Sequence, residues 1–298
     1  MRPRAEIDPH SAHAKLGPDS ISWRINREAV LLLGGGRALL MQIAHPLVAA
    51  GVAAHSNFKQ APIERLRQTI EALHALNFGN MLEAQAAYRK IDSIHARVRG
   101  RLAQPATGFA TGARYNARDP ELLLWVLATL IDTSILFYRR YVGYLSPADE
   151  ERYYQQSKRI ARLFKIPASL IPAELQDFRR YMEQMIDGPV RVSGTGRELA
   201  RAILYPQIGF IPPRMFEPLN LVTVGRLPPR LREDFGFEWS AARELLLDAS
   251  SVAIRAMLPL IPDFLRAVPA ARVAERVIRS EPSSLDGQTR SRNNGGLK

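Results

Sequence analysis

The chain has 298 residues, a formal net charge of +12 and no cysteine. That length can bury a large core, and one big domain is favoured over a main body with a small cap. The lack of cysteine excludes disulfides, thiolate zinc sites, iron–sulfur clusters and cysteine nucleophiles, so any metal must sit on histidine, carboxylate or neutral oxygen. The positive charge would suit nucleic acid, but the arginines are spread over every segment and often alternate with acids, as from Asp149 to Arg162. A solvated surface explains that pattern, and nucleic acid is not an expected partner.

Residues 1–18 are expected to be a flexible segment. Arg2, Arg4, Glu6 and Asp8 interrupt any apolar run there, so no secretory signal is read and the protein is expected in the cytoplasm. Helices are predicted near 22–33 and 37–54. Between them lies Gly34-Gly35-Gly36-Arg37, which invites comparison with phosphate loops. No Lys-Ser/Thr follows and both flanks are helical, so nucleotide binding is not supported. His45 precedes Pro46 and should mark a kink. The runs Ala29 to Leu33 and Ile43 to Ala54 are broken by Gly, His and Pro and fall short of a membrane span. His45 and His55 stand ten apart, a spacing that does not by itself argue a metal pair.

Pro62 opens a helix over 62–77 that Gly79 closes, and Arg65 and Thr69, at i and i+4, share one side of it. The plain reading pairs Arg65 with Glu64 or Glu71 and lets Thr69 bond back to the preceding turn; the functional one places both over a pocket. The next helix, near 80–100, carries Tyr88, Ile91, His95, Val98 and Leu102 at steps of three and four, so His95 is expected to face the core. A core histidine is more often a hydrogen-bonded structural residue than a ligand, and both readings stand at this point.

Helices follow near 120–144, 147–164, 172–187, 196–205, 215–225, 240–258 and 263–279. Asp119-Pro120-Glu121 and Ser146-Pro147-Ala148-Asp149 supply starts for the first two. Trp125, Val126, Leu130 and Phe137 are expected in the core, with Asp132 and Thr133 near mid-helix. Prolines and glycines thicken from about 187 to 239 and predict short helices joined by ordered loops. Period-two strands are absent, and 281–298 has little to bury and reads as a disordered tail. The fold is therefore expected to be all-α, one large helical domain over 19–280. No Gly-x-Ser-x-Gly elbow and no His-Glu-x-x-His occurs, and the two Glu-x-x-His motifs that a di-iron bundle needs are not both present.

Several segments taken together carry a resemblance: Gly35 to Pro46, Gly51 to Ser56, Arg65-Leu66-Arg67-Gln68-Thr69, Phe78-Gly79, His95 to Gly100, Asp119 to Val126, and Leu227-Pro228 with Trp239. Over roughly residues 20 to 275 the chain resembles the MpaB-type oxygenase family, relatives of the latex-clearing rubber oxygenases. The resemblance implies a globin-like helical core holding one b-type haem, with dioxygen activated at its iron. It makes His95 the proximal metal ligand and Arg65 and Thr69 candidate catalytic residues. Arg65, Gln68, Thr69 and His45 join His95 as candidate cofactor-binding residues.

Two departures from the family pattern matter. Gln68 stands where the rubber oxygenases have a lysine able to act as a sixth ligand, so iron closed by that lysine is excluded, and Leu127 stands where a histidine is common. The implied function is a haem b-dependent oxygenase acting with O2 on a small apolar substrate, isoprenoid or otherwise alkene-containing, with transient contact at a membrane surface. The alternative is a non-catalytic haem- or lipid-binding helical protein that keeps the family cavity.

Overall fold

Short polar side chains start six of the helices. Ser20, Asn80, Asp119, Ser146, Ser193 and Ser240 each accept a hydrogen bond from a backbone N–H of the first turn, satisfying donors a helix start leaves without intrahelical partners. At Asn80 the cap is reciprocal, because the Glu83 carboxylate accepts the Asn80 N–H at 2.7 Å. The computed structural model describes residues 16–56, 62–209 and 211–280. The expected tail 281–298, and residues 1–15 of the segment expected to be flexible, lie outside the described residues.

The chain is all-α, with fourteen α-helices and a hairpin of two three-residue strands among the described residues. The first eight helices are α1 (Ile21–Asn26), α2 (Gly35–Ala44), α3 (Pro46–His55), α4 (Pro62–Phe78), α5 (Met81–His95), α6 (Pro120–Phe137), α7 (Pro147–Leu163) and α8 (Leu175–Asp187). They are followed by α9 (Gly194–Leu204), α10 (Glu217–Gly225), α11 (Pro229–Phe235), α12 (Ala241–Met257), α13 (Asp263–Arg266) and α14 (Pro269–Ser280). Strands β1 (Arg99–Arg101) and β2 (Arg114–Asn116) pair antiparallel between α5 and α6.

Several predicted helices change form. The 22–33 helix is α1 followed by a 3-10 helix over Ala29–Gly34, and the 263–279 helix is α13 and α14. The 37–54 helix is two, because Pro46 cannot donate into the α2 ladder and starts α3 instead; the Ala29–Ala44 and Pro46–His55 arms bend by 106°. The 80–100 helix stops at His95. The 120–144 helix ends at Phe137 and continues as one π-helical turn, Tyr138–Val142.

The main core gathers side chains from α1, α2, α3 and α6 to α11. Trp125 is fully buried on α6 and donates its indole N–H to the Met41 carbonyl at 3.2 Å, which fixes α6 against α2. Phe137 is buried as expected, while Val126 and Leu130 are only partly covered. The stretch Pro120–Val142 is long and apolar enough to cross a membrane, and 61% of its most apolar window is buried inside the molecule. A smaller cluster of Trp23, Phe78, Val268 and Ala271 ties α4 and α14 to α1.

The glycine run closes this packing. A Cβ on Gly34 would lie 2.6 Å from Thr133 Cγ2 on α6, and one on Gly36 would lie 2.5 Å from Thr223 Oγ1 on α10. The run serves close helix approach.

Candidate functional site

His95 is the last residue of α5, and its carbonyl accepts the Val98 N–H at 3.0 Å as the chain turns into β1. The helix cannot run on to residue 100 because Gly100 pairs across the hairpin with Tyr115, whose phenol oxygen would sit 2.5 Å from a Cβ at that position. Val98 and Leu102 therefore leave the helical stripe that holds Tyr88, Ile91 and His95. Val98 instead packs on Gly51 of α3, and Leu102 is buried in the hairpin connection.

The expectation that His95 faces the core interior is corrected accordingly. The imidazole is half-buried at the core margin, and no residue of α5 is fully buried. Burial lowers its pKa, with Arg65 and Arg118 pushing the same way and Asp92 opposing. It is thus held neutral, the state in which a ring nitrogen can donate to a metal. No described residue hydrogen-bonds the ring.

Arg65, on α4, is exposed, and its carbonyl accepts the Thr69 hydroxyl at 2.9 Å. Gln68 donates its amide to Glu64 at 2.6 Å. Hydrogen bonds from Arg67 and then Gln68 hold the Glu64 carboxyl down at about 2. Arg65 and Thr69 do share a side of α4, and the Arg65 charge reaches His95, while the hydroxyl of Thr69 and the amide of Gln68 are engaged within their own helix.

His45 stands between α2 and α3. Its Nδ1 accepts the Leu47 N–H at 3.3 Å, capping α3, and its ring packs against Phe109 with centroids 5.6 Å apart. Burial pushes it down to about 4, opposed by Asp119. With Nδ1 accepting, the neutral ring carries its proton on Nε2. His55, at the end of α3, has its Nε2 3.4 Å from the Tyr115 hydroxyl. The hairpin and its connection thus pack along α3, with Phe109 at His45, Val98 at Gly51 and Tyr115 at His55, while His95 ends the helix that leads into β1. Among the described residues no three His, Asp or Glu side chains cluster as a metal site.

A second polar constellation escapes sequence reasoning because its members are scattered along the chain. Arg37, buried on α2, donates to the Arg226 carbonyl at 2.6 Å, the Thr133 hydroxyl at 2.6 Å and Asp132 at 2.7 Å. Arg226, also buried, donates to the Ser251 hydroxyl at 2.7 Å and lies 3.4 Å from Asp248. Asp132 and Thr133 near mid-helix and Arg37 after the glycines were the hints in the sequence.

This architecture coincides with a family assignment. The model of the catalytic domain described as "ER-bound oxygenase mpaB/B'/Rubber oxygenase" matches residues 23–256, and the chain belongs to that family. Its class is therefore that of an oxygenase-family, oxidoreductase-type protein. Similar proteins include the uncharacterized protein Mb2261 of Mycobacterium bovis and the uncharacterized protein Rv2237 of Mycobacterium tuberculosis. Each is 28% identical over 232 residues, covering 75% of this chain and 87% of the relative. No solved structure matches the chain.

Proposed function

We propose that the protein is a haem b-dependent oxygenase that uses O2 on a small apolar, alkene-containing substrate in the cytoplasm. The observation that carries this reading is His95: an imidazole kept neutral by burial, without a hydrogen-bond partner among the described residues and facing the charge of Arg65, in a chain of an oxygenase family. Among the residues present His95 offers a neutral imidazole and would hold the group. When bound, haem supplies an iron that activates dioxygen.

Arg65 would set a fixed positive charge beside the ligand, suited to a propionate or to partial negative charge on oxygen. Thr69 can turn its hydroxyl from the Arg65 carbonyl toward a bound molecule, since a hydroxyl rotor is free to do so. Gln68 keeps its amide on Glu64 and would not itself hold the group. His45, already a helix cap, would support the hairpin connection through Phe109.

The test is an optical spectrum of the purified protein supplied with haem, beside His95→Ala. The expected result is a red protein with a Soret band that His95→Ala loses or shifts. A protein that stays colourless overturns the reading.

A second reading, haem or lipid binding without oxygen chemistry, draws support from the engagement of Thr69 and Gln68 within α4. Tight haem binding with no oxygen-dependent product from isoprenoid substrates would favour it.

A further inference from the structure

A groove of about 700 Å³ opens between the C-terminal half of α6 with its π turn, the start of α8, and α12. Its floor is formed by Ile135, Leu136, Leu175 and Phe178, and its rim carries the exposed Val252 with Arg139, Arg140, Arg179 and Arg255. The π turn contributes two of these arginines in succession, and such turns recur at functional sites.

The charges around the groove do not cancel. Arg139, at 3.2 Å, and Arg179 both clamp the buried carboxylate of Glu150. Asp132 is held by Arg37 at 2.7 Å, and Asp248 lies 3.4 Å from Arg226. Every carboxylate at the groove thus already has a guanidinium. Arg140 and Arg255 line the same groove and have no carboxylate partner among the described residues. Both are exposed. A cavity with an apolar floor and two uncommitted guanidiniums suits a ligand of the same make-up, since such pockets take apolar bodies oriented by a few polar groups and guanidinium forks match carboxylate oxygens.

We propose that this groove binds a single-chain amphipathic anion, its apolar chain on Phe178, Leu136 and Val252 and its carboxylate on Arg140 and Arg255. The site is separate from His95. From Asp119, next to the Arg118 whose charge reaches His95, to Arg140 is 21 residues of near-continuous helix, on the order of 30 Å at the helical rise.

The test is calorimetric titration of the full chain with decanoate, with acetate as the head alone and decanol as the chain alone. Decanoate is expected to bind, with acetate and decanol at least tenfold weaker. Arg140→Gln with Arg255→Gln, both on the surface, should weaken decanoate at least tenfold while circular dichroism stays unchanged, and His95→Ala should bind it as the wild type does. Equal affinity for decanol and decanoate, no decanoate binding, or unchanged affinity in the double variant would overturn the proposal. Sedimentation with phosphatidylglycerol vesicles separates the sources of the anion. Free decanoate should compete with any vesicle binding through this groove, and vesicle binding that decanoate leaves untouched, with no calorimetric signal, would also overturn it.

Discussion

At His45 one imidazole both caps a helix and fills space beneath Phe109, and the cost falls on its charged form. The unfolded ring titrates near 6.5 and the folded one near 4. As pH falls below 6.5, the unfolded chain takes up the proton first. Stability is therefore lost across the window from 6.5 to 4 and levels off below it. Between pH 7 and pH 5 the His45 share is about 2 kcal/mol. His74 and His95 are lowered too and add in the same sense. Urea midpoints at the two pH values should show a smaller difference for His45→Asn, which keeps a capping acceptor but cannot titrate. An unchanged difference would assign the effect to other groups. Arg37 poses the complementary case of a buried charge with three partners. Arg37→Met should cost about 3 kcal/mol in urea unfolding, because Thr133, Asp132 and the Arg226 carbonyl lose their donor together. Arg37→Lys should recover only part of this, since an ammonium lacks the guanidinium's fork.

At the level of elements, the glycine run before α2 separates helix propensity from packing. Gly35 has open space where a Cβ would stand and helical dihedrals, φ −57 and ψ −42. Gly35→Ala should therefore be neutral or stabilising by roughly 0.5 kcal/mol. Gly36→Ala would meet Thr223 and should cost about 2 kcal/mol through overpacking. Thermal melts of the two variants should move in opposite directions or differ by several degrees, and equal melting temperatures would remove the close-approach argument. The end of α5 makes the same separation visible. Apolar steps of three and four continue through Val98 and Leu102, so periodicity alone extends the helix. Only the Gly100 and Tyr115 pairing across the hairpin, a contact between residues fifteen apart, ends it at His95.

At the scale of the whole molecule, a chain of net charge +12 carries exposed apolar side chains just after α12, including Leu260, Phe264 and Leu265. We infer that this combination gives transient contact with an anionic bilayer, from which an apolar substrate could be drawn. Sedimentation with anionic vesicles should be measurable at low salt and fall as salt rises, because exposed charges are screened. Absence of binding at low salt would count against the contact.

The helical class and several helix starts were legible in the sequence because caps, prolines and apolar spacing act locally; Asp119-Pro120 and Ser146-Pro147 open α6 and α7 where those residues predict. The eleven predicted helices are fourteen among the described residues, since 37–54 and 263–279 each divide in two and α11, which no side chain caps, is not predicted. The family was legible too, through motifs spread over most of the chain. The tertiary structure decided where α5 stops and how deeply His95 is covered, that Gly34 and Gly36 serve packing, and that Arg37, Asp132, Arg226 and Asp248 meet. Their contacts join residues up to 189 apart in sequence, and no periodicity encodes a contact of that range. Charge pairing across such distances is settled only when α2, α6, α10 and α12 pack together, and that packing also leaves Arg140 and Arg255 facing one groove.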